Sequence, residues 1–522
     1  MLRVKKSWLV LTLTLAVLVC LAPMLVGQDI LTTAGFYDIP TLDPHGTDSG
    51  TAINIIMQVC ENLTRFKPGT SEVVPQLAEN FEISDDLKTY TFFLRSGISF
   101  TDGESFNAEA VKVNIERVLA LGKGPSSRLA DVERVEVVDE NTVKLHLSEP
   151  SVSFLYKLTA KAGLHITSPK AIAEHATDDD PWAENWFSNN LVGTGPYMLS
   201  EWVPGDRVIL TRNEDYRGGW EGSHIDIVVR RTVPEYTTRR MLLEQGQADI
   251  IDFPQADDLE NLASIPGVVI EELATLNVVW YLPVFTSPVM EDIHVRKALS
   301  WAFPYEEAVE IAGMGSVQLQ GPMPSVVAGH SSELFVYNTD LDKAKGELAA
   351  AGYAPGDLSL TLVHYTLDRN RQVFEVFQRN LAEIGVELKL MDMVWGQFSP
   401  WATAPDKEGA DLFIVEHWPD YPEATNFITL YFMCTDTYTP CYPRGYSNDE
   451  INRILGEAAA TADIEQRHVL YAEAQEIIVG DALGVWGYQI GDAIAMHDYV
   501  EGYVFTPANF GVYDFYSMSL DK

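Results

Sequence analysis

VEHWPDYPEATNFITL, residues Val415–Leu430, carries a short apolar run into a loop broken by two prolines. The run Asp411–Val415 (DLFIV) predicts a buried strand end that delivers Trp418, Asp420 and Tyr421 into that loop. Pro419 and Pro422 restrict the backbone there, so the side chains can be held at small entropic cost. An anionic Asp between two aromatics suits a ligand with a cationic group and an apolar body. The same residues also read as an ordinary strand-to-helix connection with an Asp in its turn.

Upstream, Arg369–Ile384 is amphipathic, with Val373, Phe377, Leu381 and Ile384 on one face, and Val386–Met391 reads as a strand. That helix–strand pair, followed by Asp411–Val415, predicts parallel βαβ packing. Between them Val394–Phe398 (VWGQF) carries Trp395. Downstream lies CTDTYTPC, in which Cys434 and Cys441 can close a short loop in an oxidising compartment. No His or further Cys stands at zinc-ligand spacing beside them, so no metal is expected. Ser447–Gly480 predicts two helices separated near Ala462-Asp463.

The N-terminal half is organised by turns. Asp29–Gly35 is a strand candidate, followed by turn-rich Tyr37–Gly50 (YDIPTLDPHGTDSG) and a helix over Thr51–Cys60. Asp48 and Ser49 stand where a helix N-cap belongs. Thr89–Arg95 is rich in β-branched and aromatic residues and predicts a strand. Asn107 can cap a helix bearing Val111, Ile115 and Val118 on one face. Val132–Leu147 alternates apolar and polar residues about Asp139-Glu140-Asn141, the pattern of a β-hairpin. Asp340–Gly352 reads as a helix with Asp340 as cap and Gly352 as stop. Cys60, in an apolar run, reads as a buried free thiol.

The chain has 522 residues, 46% of them hydrophobic, with 11 Trp, 22 Tyr and 22 Phe. That suffices for one very large core or two to three domains. Its net charge of −39 disfavours nucleic acid and anionic membrane as partners. Arg3, Lys5 and Lys6 precede the apolar run Trp8–Val26 and the small Gly27, which predicts a secretory signal with cleavage after Gly27. The run is almost long enough for a retained anchor. Cys20 lacks the small preceding residue that lipidation requires. GxSxG, HExxH, P-loop and CxxC motifs are all absent, so no enzyme, catalytic residue or cofactor is expected.

Several stretches resemble, in order, the family 5 solute-binding proteins of ABC importers, the group of dipeptide and oligopeptide receptors. VEHWPDYPEATNF is similar to the family's "W..DYPDP.NF". Pro75–Leu119 is similar to "P.LAE.w..s.D..tyTF.LR.gv.FhDG..f.A.DV...l.R". VGTGPY, DIHVRKALSWA and YSNDEINRILGEAAATADIEQRHVLYAEAQEIIV match further segments. The chain departs from the family at Pro283-Val284-Phe285, where an Asn is usual, and at Pro304, where an Asp is usual.

The resemblance implies an α/β, two-lobed periplasmic-binding-protein fold with a hinge and an extra subdomain inserted in lobe one. Lobe one would comprise residues 28–58, 190–279 and 500–522, the inserted subdomain 59–189, and lobe two 280–499. It also implies an extracytoplasmic receptor that closes on a ligand, most simply short peptides, and delivers it to ABC permease and ATPase subunits. An oligosaccharide receptor or a ligand sensor of the same shape is the alternative. Asp420 would pair with a peptide amino group. Trp395, Trp418 and Tyr421 would line pockets, and the region of Asp48 and Ser49 would cross the cleft.

Overall fold

The computed structural model describes residues 27–365, 368–404, 409–434 and 446–522. The leader expected over residues 1–27 lies, but for Gly27, outside them. Two long antiparallel strands, Val268–Pro283 and Val485–His497, hold the molecule together. Val268–Pro283 is 16 residues long, or about 50 Å at strand rise, enough to run from one lobe into the other. Its first half mixes buried and exposed positions, whereas Leu276–Pro283 is buried on both faces. VVWYLP is a near-continuous apolar run of the kind that sheets covered on both sides require.

These two strands form the middle of one mixed sheet. On the lobe-two side follow Leu412–His417, Leu358–Tyr365 and Val386–Met393. Leu358–Tyr365 pairs in parallel with both of its neighbours, as the helix–strand spacing predicted. The crossover helix Asp368–Glu383 buries Val373, Phe377 and Leu381. On the lobe-one side come Ile250–Asp252, Ile30–Gly35, Ile227–Thr232, Arg207–Arg212 and Tyr197–Val203. Ile30–Gly35 is parallel to its neighbours on both sides.

The lobes part at a break in the hinge ladder. Register shifts between Ala274 and Val278, where Thr275 Oγ1 donates to the Ile490 carbonyl over 2.7 Å and Gln489 donates to the Thr275 carbonyl. Such a bulge concentrates bending at one place. The chain leaves lobe one along the strand Val268–Pro283. The return does not fall at 500. Residues 491–497 already pair with Val268–Ala274 and Ile250–Asp252, so the chain re-enters lobe one at Gly491, within a single unbroken strand. The C-terminal segment is mostly irregular, with 3-10 turns at Pro507–Asn509 and Phe515–Ser517. Its aromatics pack onto lobe one rather than extend the sheet.

The inserted subdomain is a four-stranded antiparallel sheet, in the order Ala78–Ile83, Thr89–Leu94, Thr142–Leu147, Val132–Asp139. The helix Ala108–Leu121 covers it. Asn107 caps that helix by accepting the Ala110 N–H at 3.0 Å, and Gly122, at φ 62°, ends it. Two ion pairs, the first fully buried and the second half-buried, tie this part to lobe one. Arg117 binds Asp43 through two 2.7 Å bonds, and Arg217 binds Glu61, which also accepts from Thr194. Asp43, of the LDP turn, is thus structural.

Candidate functional site

The strand Ile30–Gly35 and its two parallel neighbours end at one crevice, the usual ligand position in such sheets. Beyond Gly35 the chain supplies Tyr37 and Asp38. The neighbours supply Arg230, Asp252 and Phe253, and the start of helix Gly50–Val59 supplies Ser49, Thr51 and Asn54. Hinge-strand residues Leu273, Asp492 and Ile494 and the C-terminal Tyr503 and Tyr513 complete a cavity of about 430 Å³, with Lys161 and Phe510 on its wall. Gly35 permits this crowding. A Cβ there would lie 2.6 Å from Arg230 Nη2 and 2.7 Å from Asp252 Oδ2.

Charge inside the cavity is uneven. Arg230 Nη2 donates to the Tyr37 carbonyl at 2.8 Å, and Lys161 Nζ to the Phe510 carbonyl at 3.1 Å. Asp252 accepts from the Tyr513 hydroxyl; burial raises its carboxyl, against the pull of Arg230. Among the described residues Asp492 accepts one hydrogen bond, from the backbone N–H of Ala493 at 2.8 Å. Burial lifts its carboxyl to about 7, and the neighbouring Asp252 adds to the rise.

Across the cleft, the strand Leu412–His417 ends under a well-packed base. His417 stacks on fully buried Trp280 and accepts from or donates to Tyr431, 2.9 Å away; burial holds its imidazole down at about 3, hence neutral. The loop beyond it is pinned by Glu423, which accepts the Thr425 N–H at 2.8 Å, and by Asn426, which donates to the Tyr421 carbonyl at 3.2 Å. Trp418 projects from this rigid loop, 57% exposed. Asp420 reaches the inserted subdomain, where Arg128 Nη2 meets its Oδ1 at 2.7 Å. Burial lowers the Lys161 ammonium on the cavity wall, Arg128 lowers it further, and Asp420 opposes them.

The expected site residues thus fall into separate places. Asp420 and Trp418 stand on the loop after the strand Leu412–His417 and do not line the lobe-one cavity. Tyr421 sits at the base of their loop, its hydroxyl 3.5 Å from Thr425 Oγ1. Trp395 opens the helix Trp395–Thr403, 61% exposed, against Tyr365 and Phe398. Ser49 lines the cavity on the lobe-one side and precedes its helix without a side-chain cap bond. Asp48 is exposed and does not line the cavity. Cys434 is disulfide-bonded, while Cys441, its expected partner, lies outside the described residues. Cys60 is a buried free thiol. Sequence reasoning missed Asp252, Asp492, Arg230, Lys161 and Arg128. Only Asp492 left a signal, as a lone acid within the apolar run of residues 490–496. Among the described residues no three His, Cys, Asp or Glu side chains cluster to hold a metal ion.

Two lobes on a shared sheet, a bulged hinge and a cleft between them define a two-lobed periplasmic binding protein. Residues 72–439 match the family described as bacterial extracellular solute-binding proteins, family 5 Middle. The chain is 32% identical over 520 residues to the probable D,D-dipeptide-binding periplasmic protein DdpA of Escherichia coli K12, covering 98% of each. It is 29% identical over 501 residues to the heme-binding protein A of Haemophilus influenzae, covering 90% of this chain and 89% of that one. The solved structure of HbpA2 from Haemophilus parasuis superposes with a TM-score of 0.85 at 26% identity, covering 95% of this chain and 100% of that one. The chain belongs to the family 5 bacterial extracellular solute-binding proteins. Its role is that of a binding protein, and among the described residues no helix is long and apolar enough to cross a membrane.

Proposed function

We propose that this protein is the extracytoplasmic receptor of an ABC importer and captures short peptides between its lobes. The observation that carries the reading is the cleft. A lobe-two loop carries exposed Trp418 and Asp420, Asp420 meets Arg128 of the inserted subdomain, and lobe one holds a cavity of about 430 Å³. End-to-end similarity to a D,D-dipeptide-binding protein supports the same ligand class. Asp420 anchors the ligand's amino group, which displaces Arg128. Trp418 and Trp395 supply apolar contact, and bending at the 274–278 bulge closes the lobes. The permease recognises the closed form, and the ATPase subunit supplies the energy. Residues 1–27 direct export and are removed.

Thermal unfolding of the mature, ligand-stripped protein tests this, because a ligand that binds only the native state raises the midpoint. The midpoint is expected to rise with a di- to pentapeptide pool, and the rise to vanish with N-acetylated peptides and in Asp420→Ala. No rise with peptides, together with a rise on adding hemin or an oligosaccharide panel, would overturn the peptide assignment.

A further inference from the structure

Within the hinge strand Val485–His497, side chains alternate between two faces. Ala493 and Ala495 turn away from the cavity, and Ala495 joins the small core around Leu243 and Ile251. Asp492 and Ile494 turn towards it, opposite Leu273 and Asp252 of the adjoining strands. On that face Ile494 and Met496 belong to the apolar core of lobe one. Asp492 therefore places a carboxylate where the pattern calls for an apolar side chain. It is not a buried structural ion pair. Among the described residues no Lys, Arg or His nitrogen lies within 4 Å of it. The two cations of the cavity wall donate elsewhere: Arg230 to the Tyr37 carbonyl and Thr232 Oγ1, and Lys161 to the Phe510 carbonyl. Asp252 has the Tyr513 hydroxyl and the nearby charge of Arg230; Asp492 has neither.

We propose that Asp492 is a specificity-determining residue: with the aromatic wall of Tyr503, Tyr513 and Phe253 it forms an anionic subsite for a second cationic group on the ligand, selecting peptides that bear a lysine- or arginine-type side chain. This rests on the peptide reading above, and it concerns a different part of the cleft from Asp420. A carboxylate withdrawn from water without a partner is costly, and a ligand ammonium or guanidinium relieves that cost. Ring faces stabilise the same cation and hold its methylene stem. A neutral isostere leaves the carboxylate unpaired, which is how a buried polar group discriminates. The subsite is also pH-dependent. Facing Asp492 are Asp252 on one neighbouring strand, Glu271 on the other, and Tyr503 and Tyr513 of the C-terminal segment, with Arg230 and Lys161 further along the wall. Burial and the charge of Asp252 keep Asp492 partly protonated at neutrality, and only its ionised form pairs with a cation.

The test is calorimetric titration of the mature, ligand-stripped protein with trialanine in which lysine, arginine, norleucine or citrulline is scanned through each position. At one position or more the basic peptide is expected to bind at least about tenfold tighter than its neutral isostere. That ratio should grow from pH 6 to pH 8, and in Asp492→Asn and Asp492→Ser it should fall to within about twofold at every pH. Equal binding of basic and neutral peptides by the native protein, or a ratio that survives both substitutions, overturns the subsite and leaves the peptide receptor standing. Failure of every peptide, neutral and basic, overturns both.

Discussion

A single carboxylate shows how much one residue's surroundings decide. In an unfolded chain Asp492 titrates near 3.8, and in the cavity it titrates near 7. Between those values the folded state holds more protons than the unfolded state, so this residue's contribution to stability falls as pH rises from about 4 to 7 and is flat above. Asp492→Asn removes that dependence. Its melting midpoint should exceed the native one by a margin that is small at pH 5 and largest at pH 8, the free-energy gain growing by up to roughly 1.4 kcal/mol per pH unit. A margin that does not change with pH in scanning calorimetry would refute the burial argument. The comparison isolates Asp492 from Asp252, Glu423 and Asp514, whose carboxyls burial also raises. Asp420 is the contrasting case. Its side chain is 62% exposed and meets Arg128 at 2.7 Å.

At the scale of elements the hinge strands govern. VVIEELATLNVVWYLP is long, β-branched and apolar enough to be a strand without help. Where it bends is set by its partner. Gly491 lies at the break, and its N–H donates to Ser316 Oγ at 2.8 Å. A Cβ added there would stand 2.0 Å from the Met314 carbonyl oxygen and 2.4 Å from the Ser316 nitrogen, both backbone atoms that cannot rotate aside. Gly491→Ala should therefore destabilise the protein by about 1–3 kcal/mol, read as an earlier midpoint in urea unfolding. Gly396→Ala, with open space around its Cβ position, should not. The loop 418–426 shows the opposite balance. Its prolines and the Glu423 and Asn426 bonds fix it locally, so its rigidity was legible from the residues alone.

For the whole molecule, two hydrogen-bonded contacts among the described residues join the inserted subdomain to lobe two. Arg128 meets Asp420, and Ser71 Oγ donates to the Val326 carbonyl at 2.9 Å. An ion pair with one exposed partner contributes little to stability, below about 1 kcal/mol. It can still bias an opening equilibrium whose two states are close in energy. Arg128→Ala should leave the melting midpoint nearly unchanged and increase the radius of gyration of the ligand-free protein in small-angle scattering. It should also raise affinity for amine-bearing ligands by up to about fivefold, since Arg128 no longer competes for Asp420. Unchanged scattering would mean that the pair does not hold the lobes together.

Periodicity and turn chemistry alone determined most of the elements: the Asn107-capped helix, the hairpin of residues 132–147, the parallel strand pair around Asp368–Glu383 and the stiff loop after His417. These depend on neighbours three or four residues away, or on the alternation of a strand, so a linear reading reaches them. The ordered set of family segments determined the two-lobed architecture. Tertiary structure alone decided the cavity. Asp252, Asp492 and Tyr513 come from three distant segments, and Lys161 and Arg128 come from an inserted subdomain. Whether a carboxylate there is paired, solvated or stranded depends on how many donors the fold brings within a few ångströms, which no local pattern encodes.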